Sequence, residues 1–257
     1  MAEKESISRD RLTGYLDTYL GVSSIRDDAY NGLQVEGAHK ITKIAFSVDA
    51  CLQTVQLAAR ANANMLIVHH GLLWAGHNQP ITGIMKDRIS ILLRKQISLY
   101  ASHLPLDSHD EVGNNVTLAK LLGMELLGKY ASYKDVVIGV LAKPKKSLKR
   151  DELIQKLEKT LETRTVTLPF GPTAIRKVGI VSGDGAFAIA DTMKQGADTF
   201  ITGETDHVVY HLAKEAKVNM ICAGHYASET VGVKALAKHI EDRFSIACQF
   251  ISAPTGL

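Results

Sequence analysis

The chain has 257 residues, 46% hydrophobic and 22% charged, with a net charge of +3, which is enough to bury a substantial core in one large α/β domain or two smaller ones. No run of eighteen apolar residues could span a bilayer. The first twenty residues mix both charge signs without the apolar stretch of a secretory signal, so a cytoplasmic protein with no membrane partner is expected. The basic residues are spread along the chain, which argues against a nucleic-acid partner. Their one concentration, Lys143, Lys145, Lys146, Lys149 and Arg150, flanks Pro144 and reads as a solvated loop running into a first helical turn. Cys51, Cys222 and Cys248 are odd in number and lack CxxC spacing, as expected for free buried thiols in a reducing compartment.

Short β-branched runs alternate with amphipathic stretches along the chain, the pattern of parallel strands joined by crossover helices. A strand over 41–48 leads to a helix over 52–61, a strand over 65–68, a helix over 88–95, a strand over 98–102 and a helix over 115–122. A strand over 135–141 follows, then a helix carrying Leu153, Ile154, Leu157 and Leu161 on one stripe. Strands over 166–168 and 177–181, a helix over 188–194, a strand over 199–202 and a helix over 208–217 come next. A strand over 219–223, a long helix over 228–243 and a strand over 246–251 close the chain. No short repeat and no low-complexity segment interrupts this order. The fold class expected is α/β, two α/β domains with mixed or parallel sheets flanked by helices.

In open α/β sheets, ligands gather beyond the carboxyl ends of the strands. That is where the unusual polar residues of this chain fall. His69 and His70 end the run MLIV, His103 ends SLYAS with Asp107 four residues on, and His225 ends MICAG. His225 and Glu229, four apart at the entry to a helix, share a face. Adjacent histidines diverge on an extended strand; just past its end they could address two ions. Three imidazoles and two carboxylates make a borderline to hard donor set that suits Zn, Fe, Mn or Co without choosing among them. His39, His77, His109, His207, His211 and His239 read as ordinary hydrogen-bonded or surface residues; of these His211, on the helix after the Gly203-Glu204 turn, is the one to watch.

The segments YNGLQVEG, IVHHGLLW, SHLPLDSHDEVGNN, FITGE and AGHYASE together resemble the NIF-three-like family, whose bacterial members are known as GTP cyclohydrolase I type 2 homologues. The resemblance runs over essentially the whole chain and matches the compact form that lacks an inserted domain. It implies two metal ions, with His70 and Asp107 on one, His69 and His225 on the other, and Glu229 bridging. It also implies a discontinuous metal-binding domain, 1–128 plus 225–257, a second α/β domain over 129–224, and a ring-shaped homo-hexamer. The chain departs from the commoner pattern at Tyr30, where many relatives carry Asp, and at Tyr226, where some carry a second His.

Other features have plain readings beside functional ones. Asn31-Gly32 is a strong turn dipeptide; the resemblance sets this loop and Gln34 near the metals. Gly183 and Gly185 follow a strand and precede a helix, but without GxGxxG spacing they read as a tight turn rather than a phosphate cradle. Lys86 and Arg88 could neutralise a phosphate or simply form an exposed first helical turn. The leading function is metal-dependent hydrolysis of a small molecule, with a nucleotide such as GTP implied by the resemblance and His103 as a proton carrier. The alternatives are a metal-delivery protein without turnover of an organic substrate and, third, a ring-shaped interaction or DNA-associated protein.

Overall fold

The structure, a computed structural model, describes residues 5–76 and 80–257; His77 lies outside them. The chain forms two compact units, Met1–Leu106 with Val233–Ala253, and Asp107–Gly232 with Pro254–Leu257. Among the described residues, no helix is long and apolar enough to cross a membrane.

The first unit is built on a five-stranded sheet in the order Ala247–Phe250, Lys43–Asp49, Met65–His70, Ser98–Ala101, Gly32–Val35. The first four strands are parallel and Gly32–Val35 runs antiparallel at the edge. Residues 44–48, apolar except for Ser47, are all buried, as in a strand covered on both faces. Ala45, Leu66, Val68, Leu99 and Ala101 pack on one face with Val55 and Ala58 from helix Leu52–Arg60 and Leu92 from helix Gly83–Arg94. Ile44, Phe46, Ile67 and Tyr100 alternate with them and are also fully buried. On their face the Tyr100 hydroxyl donates to Asp17 Oδ1 at 2.8 Å, on helix Arg9–Tyr19, whose first turn is capped by the Ser8 side chain. Removing each such apolar side chain from water contributes about 1.5–3 kcal/mol.

The second unit is built on a six-stranded sheet in the order Val166–Pro169, Asn219–Cys222, Thr199–Thr202, Val178–Val181, Val136–Pro144, Met124–Tyr133. The three strands 178–181, 199–202 and 219–222 are parallel; the flanking strands are antiparallel. One face buries Val140, Ala142, Ile180, Ile201 and Ile221 against Leu153, Leu157 and Leu161, the stripe of helix Arg150–Leu161. Val116, Leu118 and Ala119 of helix Asn114–Leu121 join the same cluster. That helix therefore packs in the second unit.

Several elements differ from expectation. Helix Arg9–Tyr19 and strand Gly32–Val35 were not foreseen, nor was strand Met124–Tyr133. The last pairs with Val136–Pro144 through a turn at Lys134 and Asp135, both with positive φ (50° and 67°). A two-residue hairpin turn needs this conformation, and Asn-Gly usually signals it; here the signal is missing. Helix Gly83–Arg94 begins earlier than 88, which puts Arg88 in its second turn. Of the cysteines, only Cys222 is buried; Cys51 and Cys248 are partly exposed, because Cys51 precedes a helix and Cys248 lies on an edge strand. Lys145 and Lys146 are exposed, and Lys143 pairs with Glu125 at 3.1 Å, as a solvated segment should.

Candidate metal centre

In the first unit, strand Met65–His70 includes both histidines rather than ending before them. His69 is fully buried and His70 partly exposed. Their rings lie 4.5 Å apart and tilted by 46°. The parallel register sets Asp49 beside His70, and His70 Nδ1 meets Asp49 Oδ1 at 2.8 Å. His69 Nδ1 meets the carbonyl oxygen of Ser102 at 2.9 Å, at the end of the neighbouring strand. His103 follows, its ring 5.1 Å from His69 and 5.6 Å from His70. These three histidines each offer a ring nitrogen within 4.8 Å of the others.

His103 is held from two sides. Its backbone N–H donates to Asn31 Oδ1 at 2.7 Å, and its Nδ1 lies 3.0 and 3.1 Å from the two oxygens of Asp27. Burial disfavours the charge on Asp27, but the hydrogen bond and charge of His103, with Asn31 and the Leu104 amide, hold its carboxyl well below the usual carboxylate range. Gln34 braces the loop after His70: its Oε1 accepts from the Leu72 and Leu73 amides at 2.7 and 3.2 Å, while its Nε2 donates to the Tyr30 carbonyl at 2.7 Å. The Trp74 ring stands edge-on to His103, 5.1 Å away.

In the second unit, strand Asn219–Cys222 turns through Gly224 into helix His225–Phe244, so His225 is the first helical residue and Glu229 lies one turn on. His225 Nε2 is 3.3 Å from Glu229 Oε2, and its Nδ1 is hydrogen-bonded to Glu204. Burial opposes an imidazolium here, but the hydrogen bonds and charges of Glu229 and then Glu204 outweigh it, and the His225 pKa is pushed up to about 9. Gly183, with φ +62°, passes so close that a Cβ there would collide with the Glu229 carboxylate. Its amide donates to Ser228 Oγ at 3.0 Å and its carbonyl accepts from the Gly203 and Glu204 amides. This is a tight turn pressed against a carboxylate. Asp107, 7% exposed, accepts from Asn114 Nδ2 at 2.8 Å, and Asn114 Oδ1 accepts from the Gly232 amide at 2.9 Å.

Four imidazoles thus engage an oxygen through Nδ1. The carbonyl at His69 requires a proton on Nδ1, and carboxylates favour one there at the other three, although His225 also faces Glu229 through Nε2 and must give up that proton to bind an ion. That leaves Nε2 with a lone pair in the neutral ring, the orientation of metal-ligating histidines with an outer hydrogen-bonded partner. The residues therefore fit borderline divalent ions. Sequence reasoning overlooked the partners Asp27, Asp49, Glu204 and Asn114. Asp49 could have been found, since it too is a polar residue ending an apolar strand. His211 is exposed, 6.2 Å from the His207 ring and 5.3 Å from Tyr210. Lys86 is exposed and 3.5 Å from Asp87.

The Duf34/NIF3 (NGG1p interacting factor 3) pattern matches residues 7–255. A protein of Archaeoglobus fulgidus named GTP cyclohydrolase 1 type 2 homolog is 44% identical over 243 residues, covering 95% of this chain and 97% of its own. Among solved structures, protein ybgI, described as of unknown function, superposes with a TM-score of 0.92 at 32% identity over 98% of this chain and 100% of its own. TTHA1606 from Thermus thermophilus gives a TM-score of 0.90 at 39% identity, with the same coverage. Matched across almost its entire length in both sequence and fold, the chain belongs to the Duf34/NIF3 (NGG1p interacting factor 3) family.

Proposed function

We propose that the chain is a metal-dependent hydrolase with two divalent ions, His70 and Asp107 serving one, His69 and His225 the other, and Glu229 both. The observation that carries this reading is the shared arrangement of His69, His70 and His225, each bonded through Nδ1 to an oxygen partner. Ions of the Zn, Fe, Mn or Co class bound there would supply Lewis acidity and a water acidified to near neutral pH. The protein's own part is to hold the donors still. Asp49 and the Ser102 carbonyl orient the two rings of the first unit, Glu204 orients His225, and Asn114 orients Asp107. His103, beside His69 and His70 but given no ion, takes and returns the proton. A nucleotide such as GTP is the substrate class, supported by the name carried by the relative from Archaeoglobus fulgidus, and a homo-hexamer is the assembly the family resemblance supports.

The test is elemental analysis of protein purified without added metal, followed by a GTP and nucleotide screen with that metal restored. The expected result is about two ions per chain, lost in His70→Ala and Glu229→Gln, with turnover of a nucleotide. Protein that binds no metal overturns the centre. Metal-loaded protein that leaves the whole panel intact, beside a working positive control, overturns the hydrolase and favours metal delivery.

A further inference from the structure

Asp27 is the outlying acid of this neighbourhood. Its side chain is only 2% exposed, yet it touches none of the five residues assigned to the ions. Its oxygens accept from the Ala29 amide at 3.1 Å, Asn31 Nδ2 at 2.9 Å, the Leu104 amide at 2.9 Å and His103 Nδ1 at 3.0 Å. The two backbone amides and Asn31 would suffice to close the loop. These donors use both oxygens, the Ala29 amide on Oδ1 and Asn31 and the Leu104 amide on Oδ2, so the loop asks for two acceptors but not for a fourth partner. The carboxylate is nevertheless also turned to the imidazole, whose main chain is fixed independently by Asn31 Oδ1 at 2.7 Å. One side chain therefore locks the position of His103 and the other locks its ring.

We infer that Asp27 is a positioning residue that, supported by Asn31, holds His103 as its Nδ1–H tautomer and so presents a basic Nε2 beside His69 and His70. This rests on the hydrolase reading only for the use to which His103 is put. In that use a water O–H proton passes to Nε2 as the oxygen attacks, the imidazolium is stabilised by the carboxylate, and the same proton is returned to the leaving atom. Asp27 itself stays ionised throughout, as the acid of an acid–histidine pair does.

The test is nitrogen NMR of histidine-labelled full-length protein at pH 7.5, with His103→Gln identifying the resonances and zinc titration run alongside. The expected wild-type pattern is a pyrrole-like Nδ1 with a low-field proton and a pyridine-like Nε2 at His103. Asp27→Asn is expected to lose that low-field proton and move most of His103 to the Nε2–H tautomer. Zinc affinity should stay within a factor of about three, because removing the orienting partner of a true ligand costs roughly 10–100-fold. A wild-type His103 protonated on Nε2 overturns the inference, and this reading does not depend on whether Asp27→Asn folds. An unchanged tautomer in a folded Asp27→Asn protein also overturns it. A tenfold or greater loss of zinc affinity does so as well, since it makes His103 a ligand. Failure of the wild type to bind zinc removes the metal centre instead and leaves the tautomer to decide the role of Asp27.

Discussion

The two units supply candidate donors of different character. In the first, three imidazoles cluster, and each is steadied by a separate oxygen, one a neutral carbonyl and two carboxylates. In the second, a single imidazole stands between two carboxylates, Glu229 and Glu204, and its affinity for a proton rises accordingly. A neutral ring braced by one acceptor is ready to offer a lone pair. A ring shared by two anions must first give up a proton, so the second unit couples any cation it binds to pH more strongly.

The largest expected effect is at His69, fully buried and bonded to the Ser102 carbonyl. His69→Ala should abolish retention of one of the two proposed ions, read as metal content after desalting, while circular dichroism stays that of a folded protein. Next come the outer partners. Asp49→Asn and Glu204→Gln should each weaken zinc binding by about 10–100-fold, measured by competition with a chromophoric chelator. They should differ in pH behaviour. In chelator-treated protein, Glu204→Gln should bring the His225 pKa down from about 9 towards the ordinary histidine value of about 6.5, read from its ring-proton shifts. In the wild type the raised pKa of His225, set by Glu229 and then Glu204, favours the fold fully below about pH 6.5, and the contribution fades as pH rises through about 9.

Asp27 has the opposite sign. Its carboxyl lies below its unfolded value, so its contribution is present above about pH 4 and is lost as pH falls. Asp27→Asn should cost roughly 1–3 kcal/mol at pH 7 and flatten the acid limb of urea midpoint against pH. Asn114→Ala should also cost roughly 1–3 kcal/mol, because it removes the buried Asn114 hydrogen bonds to Asp107 and to the Gly232 amide; an unchanged urea midpoint would show that these bonds contribute nothing to stability. The smallest effect is at His211, outside both groups and exposed. His211→Ala should leave metal content unchanged and stability within about 0.5 kcal/mol.

Much of the framework was legible beforehand, for local reasons. The apolar runs within 44–48, 65–68 and 99–101, broken only by Ser47, are dense because both faces of that sheet are covered, so strands and their carboxyl ends stand out without any knowledge of pairing. The hairpin strand Met124–Tyr133 was not legible. Its residues 125–129 are exposed, so no alternation marks them, and its turn uses Lys134-Asp135. Helix Arg9–Tyr19 escaped because it buries only Leu12, Thr13 and Leu16 among charged and polar neighbours.

The candidate donors could be named from sequence because a histidine that ends an apolar strand is conspicuous in one dimension. Their partners could not. Asp49 meets His70 only through the parallel register of two strands, Asp27 meets His103 across 76 positions, and Glu204 meets His225 across 21. The chain by itself determined which side chains are chemically suited to hold a cation and on which strand ends they sit. Tertiary structure alone decided which nitrogen of each ring is engaged and how strongly His225 holds its proton. Those properties depend on through-space hydrogen bonds and charge, which fall off within a few ångströms and are indifferent to separation along the chain.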